Sequence, residues 1–110
     1  MEFPKNTYKV NHDEVEEILH EVAAQIKDEN SNKTFGKDVV ARIGSYRDYE
    51  SAPSQPHWNI KCHHRDAILE AVKEIKKNGW HCWYHFDYEQ VLSVWITKSD
   101  VRPHPWYSKM

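Results

Sequence analysis

The sequence predicts an α+β fold: two helices packed on one face of a mostly antiparallel four-stranded sheet, in the order α-β-β-α-β-β. Three observations carry this. First, Ile68, Ala71, Val72 and Ile75 recur at spacings of three and four, with Glu70, Lys73, Glu74, Lys76 and Lys77 on the other side, which is one buried stripe and one wet face of a helix. Second, the period changes to two after Gly79. Trp80, Cys82, Tyr84 and Phe86 then alternate with His81, Trp83, His85 and Asp87, and Leu92, Val94 and Ile96 alternate with Val91, Ser93, Trp95 and Thr97. Two such runs joined by a short connection most economically make an antiparallel hairpin. Third, 110 residues with 13% aromatics suffice for one hydrophobic core but not for two, so a single domain is expected over 1–110.

Taken in order, residues 1–10 form a mixed lead-in with Phe3, Tyr8 and Val10 as anchors. Asn11 and Glu14 have the spacing of a capping box, in which Asn accepts a backbone N–H and Glu reaches back. Val15, Ile18, Leu19, Val22, Ala23 and Ile26 continue as the apolar stripe of a first helix, which ends in the polar cluster from Asp28 to Asn32. Val39, Ala41 and Ile43 alternate as in a strand carried on to Tyr46 or Tyr49, although Val39, Val40 and Ile43 also fit one helical turn. Ser51 to Pro56 reads as a loop. Trp58, Ile60 and Cys62 alternate with His57, Asn59, Lys61 and His63 as a strand that feeds the second helix. That helix is favoured by Asp66 in its first turn and Lys76 and Lys77 in its last, and Asn78-Gly79 supplies its stop. From Ser99 onward two prolines flank His104 ahead of Trp106 and Tyr107, and no regular structure is expected there.

Charge and cysteine usage narrow the function. A net charge of −2 gives no overall attraction to nucleic acid or to an anionic membrane. No window approaches the roughly eighteen apolar residues of a membrane span, and M-E-F-P-K-N lacks the apolar run of a secretory leader. A cytoplasmic protein is therefore expected, with Cys62 and Cys82 as buried free thiols on the apolar faces of their strands.

Eight histidines and two cysteines invite a metal. Yet His81 and His85, spaced as H-x3-H, lie on the order of 13 Å apart along a strand and cannot share one ion. His63 and His64, at a strand-to-helix junction, are the other weak candidates, were they to converge with His81 or His85 from a neighbouring strand. No glycine-rich phosphate loop or exposed nucleophile-base pair is present, so neither a cofactor nor a catalytic residue is assigned. A small metal-dependent or Cys/His enzyme is the third-ranked reading.

The distinctive feature is the sheet face away from the helices. It carries Trp83 and Trp95 as anchors, His81 and His85 as polar contacts and Lys61 at its margin. Trp106 and Tyr107 either fold back over this face or extend it as a recognition segment. Exposed Trp, Tyr and His give large contact area at small entropic cost, which points to a protein partner, with a second copy of this chain among the candidates. Single-stranded nucleic acid stacked on Trp83 and Trp95 is the alternative, opposed by lysines that are interleaved with glutamates rather than gathered beside the aromatics.

The run A-I-L-E-A-V-K-E-I-K-K-N-G-W-H-C-W-Y-H, followed by V-L-S-V-W-I, resembles a pattern in small accessory proteins of tailed bacteriophages. In those, a helix ends at Gly-aromatic and precedes a hairpin whose second strand alternates aliphatics with a Trp. The likeness covers Ala67 to Ile96. It implies a protein of the host cytoplasm that acts by binding and modulating a host protein, as an inhibitor does, and it transfers no functional residue.

Overall fold

In the computed structural model, which describes residues 2–28, 38–46, 61–87 and 90–110, Asn11 starts the first helix, α1 (His12–Lys27). Its side chain accepts the N–H groups of Asp13 and Glu14 at 3.0 and 3.3 Å. Glu14 does not reach back to complete a capping box. Its carboxylate instead accepts the His64 N–H at 2.6 Å and lies 2.8 Å from His64 Nδ1, so it caps the second helix, α2 (Arg65–Lys77), whose own N-cap residue offers no side-chain bond. One acidic residue of α1 thereby fixes how the two helices start side by side. At the other end of α2, Gly79 takes φ +90°, a conformation that costs a side-chain-bearing residue and lets the chain turn directly into the sheet.

Among the described residues the sheet has five strands: β1 (Val39–Ser45), β2 (Cys62–His63), β3 (His81–Phe86), β4 (Leu92–Thr97) and β5 (Ser108–Lys109). Their spatial order is β2-β1-β4-β3-β5, and only the β1/β2 pair is parallel. The α+β class and the two-helix, mostly antiparallel arrangement are as expected. The fifth strand is not, because the tail supplies it. Between the two faces of the sheet the parity of β3 and β4 holds throughout: Cys82 pairs with Ile96 and Tyr84 with Val94 toward the helices, while Trp83 pairs with Trp95 and His85 with Ser93 on the outer face. Ile18 and Val22 of α1, Ile68, Ala71, Val72 and Ile75 of α2, and Ala41, Ile43, Cys82, Leu92, Val94 and Ile96 of the sheet form the main core.

Two local patterns depart from simple alternation. In β1 the register against β4 shifts between Val39 and Ala41, so that two residues oppose one. This bulge leaves Ala41 and Val40 on the helix side and turns Val39 to the outer face, where it joins Trp83, Trp95 and Tyr107. In β2 the expected faces are exchanged. Cys62 is in register with Gly44 and His63 with Ser45, which puts His63 on the helix side. His63 is 1% exposed and its Nε2 lies 2.7 Å from Glu21 of α1, with Glu14 at 3.8 Å from Nδ1. A paired histidine is as comfortable inside as a cysteine, and a polarity pattern cannot see the pairing. Both cysteines are buried and free. The expected strand residues 57–60, the loop at 51–56 and any continuation of β1 past 46 lie outside the described residues.

Among the described residues β2 pairs with Gly44 and Ser45 of β1 alone, and Arg42, two positions earlier on that edge, is met by a side chain of α1. That side chain is Gln25: its Oε1 accepts the Arg42 N–H at 3.0 Å and its Nε2 donates to the Arg42 carbonyl at 2.9 Å. Gln25→Ala should cost about 1–3 kcal/mol, because two part-buried backbone groups lose their partner at once. Urea denaturation checks this, and Gln25→Glu should recover none of the lost carbonyl bond.

Candidate functional site

The outer face of the sheet is not left bare. Residues 98–110 cross it, held at their end by β5, where Trp83 pairs with Lys109 and Tyr84 with Ser108, and by the Met110 N–H on the Cys82 carbonyl at 3.0 Å. Tyr107 is delivered over Trp95, with ring centroids 4.4 Å apart and planes 28° from parallel. Its hydroxyl is 2.8 Å from Ser93 Oγ. Lys109 lies over Trp83, 5.0 Å from the ring centroid, and is also paired with Asp100. The Trp83 indole N–H donates to Thr97 Oγ1 at 3.0 Å. The two tryptophans expected to be exposed anchors are therefore 4% and 7% exposed, and together with Val39 and Tyr107 they form a second, smaller core. The physical reason is the tail: its aromatics find partners by folding back, and stacked aromatic pairs outside water are worth more than aromatics left in it.

Burying Tyr107 pushes its phenol above its ordinary value, although the Ser93 bond and the Arg42 charge oppose the shift. Burial likewise pushes the Arg42 guanidinium below its ordinary value, against the pull of Tyr107. The pairing of Arg42 with Trp95 across β1 and β4 places that charge at the back of the same layer.

Tail and sheet together enclose a pocket of about 280 Å³ at the β3–β4 turn end. His85, Ser93 and Trp95 form the sheet side, and His104, Trp106 and Tyr107 the tail side, with Asp87 and Val91 at the end. Asp87 is tied into the turn by accepting the Val91 N–H at 3.0 Å. His85 lies between two tail rings, 5.8 Å from Trp106 and 5.5 Å from Tyr107. His104 meets Trp95, Trp106 and Tyr107 edge-on, at 6.4, 5.2 and 6.1 Å. Trp106 is 72% exposed, which makes it the large apolar side chain of this face that water still reaches.

Of the residues singled out in the sequence, His85, Trp95, Trp106 and Tyr107 come together here. Trp83 lies further along the face, and His81 accepts from Lys109 Nζ at 3.1 Å beyond it. Lys61 is remote, paired with Glu17 of α1. His63 and His64 on the β2 side are separated from His81 and His85 on β3 by β1 and β4, so the four histidines considered as metal ligands do not converge. No group of three or more His, Cys, Asp or Glu among the described residues is placed to hold a metal ion. His104 and Ser93 were missed as site residues; the Pro-His-Pro-Trp-Tyr run was the available signal, since it sets three rings in five residues.

A second cleft, of about 410 Å³, lies where α2 begins, between Tyr8, Tyr46, His64 and Leu69. Its polar groups are already matched to one another: His63 to Glu21, His64 to Glu14, and Tyr8 to Asp66. The outer-face pocket is the stronger candidate because an aromatic lining meets the largely exposed Trp106 at its rim.

No helix among the described residues is long and apolar enough to cross a membrane. No protein-family model matches the chain, and no curated protein or solved structure matches it significantly.

Proposed function

We propose that this chain is a binding module without catalysis of its own, which holds a partner protein at the pocket between sheet and tail. The observation that supports it is the pairing of a preformed apolar pocket with a highly exposed Trp106 on its rim, an arrangement typical of residues that dominate protein interfaces. The sequence-based surface is thereby narrowed. Trp106, His85 and His104 make contact, while Trp95 and Tyr107 form the floor that fixes them and Trp83 packs further along the same layer. Nucleophilic chemistry gains no support, since burial raises the Cys82 thiol to about 11 and leaves it protonated at neutral pH. Stacking of nucleic acid on Trp83 and Trp95 loses the open ring faces it needed. The finer role, as a phage-type accessory protein that modulates a host protein in the host cytoplasm, rests on the resemblance over Ala67 to Ile96 alone.

Affinity purification from the native host, followed by reconstitution with the purified partner, tests the reading. Trp106→Ala should weaken binding by roughly thirtyfold or more, the scale of a truncated interface anchor. Being exposed, the same change should move stability by no more than about 0.5 kcal/mol. Undiminished binding by Trp106→Ala would remove the pocket from the interface.

A further inference from the structure

The tail does more to the pocket than close it. A peptide N–H only donates and a peptide carbonyl only accepts, so the backbone of Trp106 dictates the protonation of both histidines beside it. His104 Nδ1 accepts the Trp106 N–H at 3.2 Å and so carries no proton; the neutral ring keeps its hydrogen on Nε2. His85 Nδ1 lies 3.2 Å from the Trp106 carbonyl and must donate, which leaves a lone pair on its Nε2. Neither Nε2 has a hydrogen bond among the described residues. The sheet side of the pocket thus carries an acceptor, His85 Nε2, and the tail side a donor, His104 Nε2–H, among a largely aromatic lining that also includes Ser93 and Asp87.

We infer that the group received here is the phenol side chain of a tyrosine on the partner protein, a conclusion that rests on the binding role proposed above and specifies its anchor. A hydroxyl both accepts and donates, whereas indole only donates, carboxylate only accepts and a phenylalanine ring does neither. The ring itself matches the aromatic lining and the open face of Trp106. About 280 Å³ suits one side chain rather than a larger ring system. A nucleotide could also present a flat ring with a donor and an acceptor, but the Asp87 carboxylate in the wall and the net charge of −2 oppose its phosphate.

The test needs no knowledge of the partner. The full chain, labelled at its indole nitrogens, is titrated with N-acetyltyrosinamide, N-acetylphenylalaninamide and uridine monophosphate, and the Trp106 indole signal is followed by NMR. The tyrosine amide should saturate the shift with an affinity about fivefold to tenfold above that of the phenylalanine amide, the difference being the hydroxyl's two bonds. Trp106→Ala should abolish binding of both. Replacing His85 and His104 together by Phe should erase the preference, and a thermal melt of that variant confirms its fold. Equal affinity for the two amides overturns the inference, as does tighter binding of the nucleotide or no response to any of the three. If partner capture still depends on Trp106 in those cases, the binding role stands and only the tyrosine anchor falls.

Discussion

Trp95→Ala should destabilise the protein by about 3–5 kcal/mol, a large part of the 5–15 kcal/mol that holds a domain of ordinary stability together. The side chain is 7% exposed, sits on the central strand β4 and carries Tyr107 on its face. Its removal leaves a cavity that sheet and tail cannot both collapse into, and it takes away the stacking partner that holds the tail over the sheet. The loss should appear in two ways. Urea unfolding should shift to lower midpoint, and the Met110 amide, bonded to the Cys82 carbonyl, should exchange with solvent far faster than amides between β1 and β4. Trp106→Ala, at the exposed neighbour of Tyr107 in the tail, should do neither. Should Trp95→Ala retain its stability to within about 0.5 kcal/mol, Trp95 would be a surface anchor after all and the second core would not exist.

The same residue shows what a sequence can and cannot disclose. Periodicity identified the face of every β3 and β4 side chain, because each residue there is paired on both flanks or stacked on a core, and burial on one side forces strict alternation. It identified both helices, because their stripes meet the sheet and their caps are local: Asn11 at one start, Asn78-Gly79 at one stop. It could say that Trp95 faces away from the helices but not that this side is dry. That depends on contacts between residues far apart in the chain, Tyr107 with Trp95 and Ser93, which no local pattern encodes. The exchange of Cys62 and His63 failed for a related reason: the carboxylates that make His63 acceptable inside come from α1, more than forty positions earlier. The bulge beside Val40 inserts one residue and reverses the parity of everything before it, so Val39 was assigned to the wrong face although the strand itself was found. For the site, four of the seven proposed contact residues meet in one pocket. His104 was passed over because two prolines marked its surroundings as irregular, and irregular backbone is as able to place a side chain as a strand is.

The two layers of the sheet should also fail together in alkali. Burial raises the Cys82 thiol, under the helices, from 9.0 to about 11, and raises the Tyr107 phenol, under the tail, above 10.0. In both cases the folded chain holds the proton more tightly than the unfolded chain does. Their stabilising effect is therefore complete below pH 9 and is lost as pH rises through the folded values, beginning with the unfolded thiol. For Cys82, which is fully buried, the loss between pH 9 and 11 is on the order of 3 kcal/mol, with Tyr107 adding to it above pH 10. Urea unfolding measured at pH 8, 9.5 and 11 should show stability falling steadily over that range. Cys82→Ala should begin lower, by about 1 kcal/mol for the small cavity, and then fall less steeply than the native chain up to pH 11. Tyr107→Phe should retain the early decline and lose the later one. The order of the two losses is the informative part: the decline should begin near pH 9 with the thiol and steepen above pH 10 with the phenol. A stability that stays level from pH 8 to pH 11, or a Cys82→Ala profile parallel to the native one, would mean that the thiol reaches solvent and that the helix layer over β3 is looser than its packing implies.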